Sequence, residues 1–256
     1  MIDWLALLAR LGVTDAEPTL ETLQRLQRQA LLSLPFENLD IHLGRPILLD
    51  HTAIYLKIVV GDRGGFCYEL NECFYQCLKA LGYDIERLEG RVVIGGPSAP
   101  FDHQCTLVRL DGVRWWVDIG FGDSTLVPLH LDRRDEQTDG RSRFKIEEAE
   151  GFFEISRQME PGKWTKMLKL NSAPQDWDWF ADQCQWQQHA SDSAFVRKRV
   201  CTRATETGRI TLAGNTLKHV DRKTVEIPVE EDRYTAILAK HFGMTLVAPT
   251  WTKPQA

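Results

Sequence analysis

Hydrophobic and polar positions follow a helical period in the first third of the chain. Apolar residues recur at three- and four-residue spacing over residues 20–31, directly after Thr19, which favours a helix start, and before Pro35, which ends the pattern. A second apolar face of the same period runs over residues 67–81, and Gly82 follows it. The pattern therefore predicts two amphipathic helices, the second of which begins at Cys67.

Beyond residue 85 the pattern changes to short segments that are typical of strands, separated by turn sequences such as Asp-Gly and Pro-Gly. The predicted strands are 88–94, 104–110, 113–119, 143–147, 152–157 and 164–170. Residues 195–203 and 209–217 form a further predicted hairpin, and residues 232–242 a final helix. Helices, then strands, then a mixed tail indicate an α+β architecture.

The composition is that of a packed globular protein, and it excludes some partners. Of 256 residues, 43% are hydrophobic and 26% are charged, and the net charge is -5. A nucleic-acid-binding surface usually carries a basic excess, so we expect no nucleic acid partner. The longest segment without a charged side chain, residues 241–252, is shorter than the ~18 apolar residues of a membrane span. We therefore expect no membrane partner and a cytoplasmic location; self-association into a homo-oligomer is left open.

One of the six cysteines has surroundings that favour reactivity. Cys67 follows Gly64 and Gly65, which allow the backbone to turn sharply into the predicted helix. Its sulfur would lie near unpaired N–H groups at the positive end of the helix dipole, with Arg63 nearby. Such surroundings lower the pKa of a thiol from about 8.5 to roughly 3.5 to 7.5. The segment predicts a nucleophilic thiolate, although an inert buried cysteine fits it equally well.

His103 and Asp118 fall on one face of a predicted hairpin. The Asp-Gly dipeptide at 111–112 favours a two-residue turn between the strands 104–110 and 113–119. In that register His103 is the diagonal neighbour of Asp118 and lies within side-chain reach. Together with a reactive cysteine, such a pair suits covalent catalysis through sulfur, because the carboxylate orients the imidazole and the imidazole accepts the thiol proton. Without the cysteine it would be an ordinary surface ion pair.

Four segments of the first half resemble the arylamine N-acetyltransferase family. They are PFENLD at 35–40, RGGFCYELN at 63–71, a single histidine at 103 ahead of a strand, and WWVDIGFGD at 115–123, in the order of the family. The resemblance implies an α+β fold with a core similar to that of cysteine proteases. Its implied parts are a helical N-terminal domain at 1–84, a β-barrel middle domain at 85–185 and an α/β C-terminal lid at 186–256.

The resemblance also implies an activity and a set of site residues. Cys67, His103 and Asp118 would form a catalytic triad in which acetyl-CoA, the co-substrate, acetylates the sulfur. A small aromatic amine or hydrazine would then take the acetyl group in a ping-pong reaction, as in xenobiotic metabolism. The implied substrate contacts are Phe36, Val93, Phe121 and Phe195, and the implied contacts of the CoA thioester are Gly96, Pro100 and Phe101. No metal is expected.

Three other functions use the same residues and stay open at this point. An amide synthase would employ a carrier-bound acyl donor, and a peptide hydrolase would cleave amide bonds without CoA. A non-catalytic binding protein of the same fold would carry a Cys67 of ordinary pKa.

Overall fold

A computed structural model of the chain describes residues 2–14, 16–94, 96, 98–221, 223–246 and 250–252. Its α-helices lie mainly in the first third: α1 (Ala6–Leu11), α2 (Leu20–Ser33), α3 (Leu39–His42), α4 (His51–Tyr55), α5 (Cys67–Ala80), α6 (Ala181–His189), α7 (Ala194–Arg197) and α8 (Tyr234–Phe242). A π-helical turn, Leu56–Val60, continues α4, and 3₁₀ turns at Trp177–Phe180 and Glu231–Arg233 precede α6 and α8.

Both helices predicted from the periodicity are confirmed. Thr19 caps α2, because its hydroxyl accepts a hydrogen bond from the backbone N–H of Thr22 at 3.2 Å. Helix α5 begins at Cys67, and Gly82, with a positive φ of 90°, follows its end. The apolar residues of both helices lie in one buried core.

The larger sheet has eight antiparallel strands in the order β5-β4-β3-β2-β9-β8-β7-β6. They are β2 (Asp84–Val92), β3 (His103–Leu110), β4 (Val113–Val117), β5 (Leu129–His130), β6 (Gln137–Thr138), β7 (Arg143–Ala149), β8 (Phe152–Glu160) and β9 (Lys163–Pro174). The sheet curves around a second core, so that it resembles a nearly closed barrel. The β3–β4 register is the predicted one, with Thr106 opposite Val117 and Leu110 opposite Val113.

The smaller sheet joins the start of the chain to its end. Its five antiparallel strands are β1 (Phe36–Glu37), β10 (Val200–Ala204), β11 (Arg209–Ala213), β12 (Thr216–Val220) and β13 (Thr224–Pro228). Together with α8 they enclose a third core. The predicted strand 195–203 is wrong at its start, since Phe195 lies in the short helix α7. Strand β13 was not predicted, although Val225 and Ile227 alternate with Thr224 and Glu226, and all five of its residues are exposed.

Segments from different parts of the chain therefore build each layer. Strand β1 pairs with β10, so the region around residue 36 belongs to the same sheet as the C-terminal segment. The division at 1–84, 85–185 and 186–256 stays a prediction. Among the described residues, no helix combines the length and the apolar character that crossing a membrane requires.

Candidate active site

The backbone just before α5 pairs with β1 and with the residue that precedes β1. The N–H of Gly65 donates to the carbonyl of Pro35 at 3.2 Å, and the N–H of Glu37 donates to the carbonyl of Gly65 at 2.9 Å. A Cβ on Gly64 would lie 2.1 Å from that same Pro35 oxygen, so only glycine fits there. This close approach places Cys67 at a defined point of a cavity wall, with 4% of its surface exposed.

His103 and Asp118 are in direct contact, as the hairpin register predicts. His103 Nε2 lies 2.7 Å from Asp118 Oδ2, and both side chains are buried. A carboxylate only accepts hydrogen bonds, so Nε2 carries a proton, and in the neutral tautomer of the imidazole Nδ1 is the acceptor. Gly90 of β2 faces His103, and a Cβ there would lie 3.1 Å from the imidazole. The glycine therefore leaves room for the ring.

Asn71, one helical turn after Cys67, ties α5 to the segment that carries Asp118. Its amide Nδ2 donates to Asp118 Oδ1 at 3.0 Å and to the carbonyl of Gln104, and its Oδ1 accepts from the N–H of Ile119 at 2.9 Å. Sequence reasoning gave Asn71 no role, although its i, i+4 spacing from the cysteine places both residues on one helix face. The Asn71 amide thus joins the helix that begins at Cys67 to the segment that carries Asp118.

The backbone after Asp118 completes the surroundings of the carboxylate. The N–H groups of Gly120 and Phe121 donate to Oδ1 at 2.8 and 3.1 Å. A Cβ on Gly120 would lie 2.6 Å from the carbonyl oxygen of Cys67, so this loop reaches the start of α5 only because residue 120 is glycine. Both carboxylate oxygens of Asp118 therefore accept hydrogen bonds, which keep the side chain from rotating away from His103.

A cavity of about 750 Å³ lies above Cys67 and His103, between the two sheets. This volume falls within the range of small-molecule sites. Three of the predicted substrate contacts, Phe36, Phe121 and Phe195, lie in its wall. The fourth, Val93, is absent from the described lining, which contains its neighbours Val92 and Ile94 instead. Val93 directly follows β2, and successive residues of an extended chain point to opposite sides, which accounts for the difference.

The predicted CoA contacts lie in different surroundings. Gly96 borders the cavity and Pro100 is exposed. Phe101 packs edge-on against Phe180, with ring centroids 5.4 Å apart, and its carbonyl accepts a hydrogen bond from the Tyr68 hydroxyl. The roles of these residues toward CoA stay predictions; Gly95 and Pro97 of the same loop lie outside the described residues.

The predicted lowering of the Cys67 pKa is wrong. Burial raises the pKa of the Cys67 thiol well above its ordinary value, and the nearby buried Cys184 acts in the same direction, whereas a hydrogen bond with the backbone of Tyr68 lowers it. The helix N-terminus does not make up for the loss of water around the sulfur. A buried thiol of raised pKa needs a base to remove its proton before the sulfur can attack a substrate.

A second thiol lies behind the histidine. Cys105 Sγ is 3.7 Å from Asp118 Oδ2, and the residue is fully buried. Burial, followed by the Asp118 charge, raises the pKa of this thiol well above its ordinary value, so it stays protonated beside the carboxylate. Donor atoms of His103, Cys105 and Asp118 lie within 4.8 Å of one another, and hydrogen bonds to Asp118 already join them. That the protein uses no metal stays a prediction.

Comparisons with known proteins agree with this geometry. A family model described as N-acetyltransferase matches residues 19–251. The arylamine N-acetyltransferase of Escherichia coli (strain K12) is 30% identical over 237 residues, which span 90% of this chain and 84% of that relative. The structure of the arylamine N-acetyltransferase from Salmonella typhimurium superposes with a TM-score of 0.91, at 26% identity, over 99% of this chain and 96% of that one.

A further solved structure carries a ligand. The Mycobacterium marinum arylamine N-acetyltransferase in complex with CoA superposes with a TM-score of 0.86, at 26% identity, over 94% of this chain and 93% of that one. The predicted α+β fold class, with helices, a barrel-like sheet and an α/β lid, is thereby confirmed. From its sequence and its fold together, this chain belongs to the N-acetyltransferase family of acyltransferases.

Proposed function

We propose that the protein acetylates arylamines or arylhydrazines with acetyl-CoA by a ping-pong mechanism, with acetyl-Cys67 as the intermediate. The observation that carries the proposal is that Cys67 and His103 line one cavity while Asp118 binds the far nitrogen of the imidazole. The similarity to a relative in complex with CoA supports the choice of donor.

In the first half-reaction Cys67 receives the acetyl group. His103 Nδ1 accepts the thiol proton as the sulfur bonds to the thioester carbonyl carbon, and Asp118 stabilises the imidazolium that forms. Cys67 is the first residue of α5, and the first N–H groups of a helix have no partner within the helix. The backbone N–H of Cys67 is therefore free to donate a hydrogen bond to the developing oxyanion. The bond from the carbonyl carbon to the CoA sulfur then breaks, and that sulfur takes the proton from His103.

In the second half-reaction the amine nitrogen attacks the carbonyl carbon of acetyl-Cys67. His103 takes a proton from the nitrogen and returns it to the cysteine sulfur as the carbon–sulfur bond breaks. Acetyl exchange between two thiols is nearly balanced, whereas amide formation is downhill, so this step draws the reaction forward. The rings of Phe36, Phe121 and Phe195 form a wall that suits a flat aromatic acceptor.

A cytoplasmic location is part of this proposal. All six cysteines are free thiols, which suits a reducing compartment.

Incubation with acetyl-CoA in the absence of an acceptor tests the covalent intermediate. Intact mass and peptide mapping should show one acetyl group on the peptide that contains Cys67. Cys67→Ala should lose the adduct, and His103→Ala should form it about 10²- to 10⁴-fold more slowly, the usual contribution of a general base. An added arylamine should then remove the acetyl group from the protein.

Cys73→Ala is the matched control. Cys73 is a buried thiol of the same helix that is absent from the described lining of the cavity, so this variant should be acetylated like the wild type. Release of CoA without a protein adduct would contradict the intermediate. Acylation only from a carrier-bound donor would favour an amide synthase, and cleavage of peptides without CoA would favour a hydrolase.

A further inference from the structure

A smaller cavity, here named the side cavity, adjoins the catalytic cavity. It has a volume of about 380 Å³ and lies between β8 of the larger sheet and β11 of the smaller one. Asp123 and Arg209 belong to the walls of both cavities, so the two spaces are neighbours across these side chains. The mechanism described above uses no residue of the side cavity.

Cationic side chains dominate the wall of the side cavity. Its described lining contains three arginines, Arg141, Arg157 and Arg209, and one carboxylate, Asp123. Arg157 Nη2 donates to Asp123 Oδ2 at 2.7 Å, and Arg209 Nη2 donates to Asp123 Oδ1 at 2.8 Å. Arg141 lies 3.7 Å from the buried Asp139. Three guanidinium groups thus oppose two carboxylates, which leaves the cavity a net positive charge.

The pKa values of these groups agree with an excess of positive charge. Burial would raise the pKa of the Asp123 carboxyl, but Arg209 and Arg157 outweigh it and hold the pKa below its usual range. Burial lowers the pKa of Arg209, and the neighbouring guanidiniums of Arg141 and Arg157 act in the same direction, against the effect of Asp123. An anion in the side cavity would relieve this repulsion.

Two buried polar atoms of residues that line the side cavity have no hydrogen-bond partner among the described residues. Ser124 is 4% exposed, and neither its hydroxyl nor Arg141 Nε forms a hydrogen bond with any described residue. Buried polar groups are nearly always hydrogen-bonded, because leaving one unpaired costs free energy. A hydroxyl and a guanidinium N–H among three arginines are donors that match the oxygens of a phosphate group.

We propose that the side cavity binds a phosphate group from the nucleotide end of the CoA thioester, an inference that rests on the proposed function of the neighbouring cavity. Phosphate accounts for the positive charge, for the fork-shaped donors and for the unpaired hydroxyl together. The position of the side cavity next to the catalytic one allows a single long donor to occupy both.

Three acetyl thioesters that differ in their nucleotide part distinguish binding in the side cavity from binding of the reacting acetyl end. They are acetyl-CoA, acetyl-3′-dephospho-CoA and S-acetyl-N-acetylcysteamine, which has no nucleotide. Arg157→Gln should raise KM for acetyl-CoA roughly tenfold, because the phosphate loses a charge-assisted hydrogen bond. KM for S-acetyl-N-acetylcysteamine, which has no phosphate, should stay within about twofold of the wild-type value. An equal rise in KM for all three thioesters would overturn the proposal, since it would show that Arg157 supports the structure of the cavity and does not bind phosphate.

Ser124→Ala is the second variant, because its hydroxyl has no partner to lose in the folded protein. It should raise KM for acetyl-CoA about two- to fivefold at an unchanged melting temperature. Arg133→Gln is the matched control, since Arg133 is an exposed arginine paired with Asp135 in the loop between β5 and β6, and it should leave KM unchanged. A wild-type KM for acetyl-CoA in both Arg157→Gln and Ser124→Ala would overturn the assignment.

Calorimetric titration with adenosine 3′,5′-bisphosphate keeps the test independent of the chemistry at Cys67. This probe should bind the wild-type protein about tenfold more tightly than it binds Arg157→Gln. Inorganic phosphate that binds as tightly as the bisphosphate would overturn the assignment to the donor's nucleotide end. If no thioester acetylates Cys67, the proposed function fails, whereas loss of bisphosphate binding in Arg157→Gln would still support a phosphate site.

Discussion

Replacing Asn71 tests whether the joint between α5 and Asp118 positions the candidate triad. The residue is 1% exposed and forms three buried hydrogen bonds, to Asp118, to the carbonyl of Gln104 and from the N–H of Ile119. Asn71→Leu keeps the side chain close to its original size but removes all three. The change therefore isolates the hydrogen bonds from the packing.

The expected loss of stability is large. Asp118 keeps its hydrogen bonds with His103, Gly120 and Phe121, whereas the Gln104 carbonyl and the Ile119 N–H each lose a buried partner. At about 1–3 kcal/mol for each of these two groups, the expected cost is about 2–6 kcal/mol. That is a substantial part of the roughly 5–15 kcal/mol by which a folded domain is stable. The remaining folded protein should also react slowly, because Asp118 loses one of the donors that hold it against His103.

Urea unfolding measures the free energy, and the rate of acetylation of Cys67 below the unfolding transition measures the catalytic effect. Gln76→Leu is the control, since Gln76 lies on the same helix and bonds Glu72 at 2.7 Å instead of the triad. It should cost at most about 1.5 kcal/mol and leave the rate unchanged. An Asn71→Leu variant with the stability and rate of the wild type would refute the positioning role.

Three further perturbations follow from the same geometry. Asp118→Asn removes the charge that stabilises the His103 imidazolium, so rapid-mixing assays should show acetylation slowed about 10³- to 10⁴-fold, and a loss below tenfold would contradict this role. Gly120→Ala places a Cβ 2.6 Å from the Cys67 carbonyl, so the urea midpoint should fall by the equivalent of roughly 1–3 kcal/mol; an unchanged midpoint would exclude this close contact. Burial raises the pKa of all six thiols, so the folded protein keeps protons that the unfolded chain releases above about pH 8.5. The six thiols therefore stabilise the folded protein fully below about pH 8.5, and this stabilisation is lost as the pH rises toward their pKa values in the folded state. The free energy of unfolding should fall by up to about 1.4 kcal/mol per pH unit for each thiol. A free energy of unfolding that stays constant from about pH 8 to 10 would contradict this expectation.

Local features of the chain were readable from the sequence because they depend on neighbouring residues. The period of apolar residues gave α2 and α5, and the Asp-Gly dipeptide at 111–112 gave the β3–β4 register, both through backbone preferences that act over a few residues. The register in turn placed His103 beside Asp118. The motif segments also indicated the family, and the family model confirmed it.

Contacts between distant segments were decided only by the tertiary structure. The pairing of β1 with β10, the role of Asn71 and the arginines around Asp123 each join residues far apart in the chain, and no local pattern specifies such partners. The pKa of Cys67 is the clearest case. Its helix N-terminus is a local feature that favours the thiolate, but desolvation depends on everything packed around the sulfur, and that burial sets the direction.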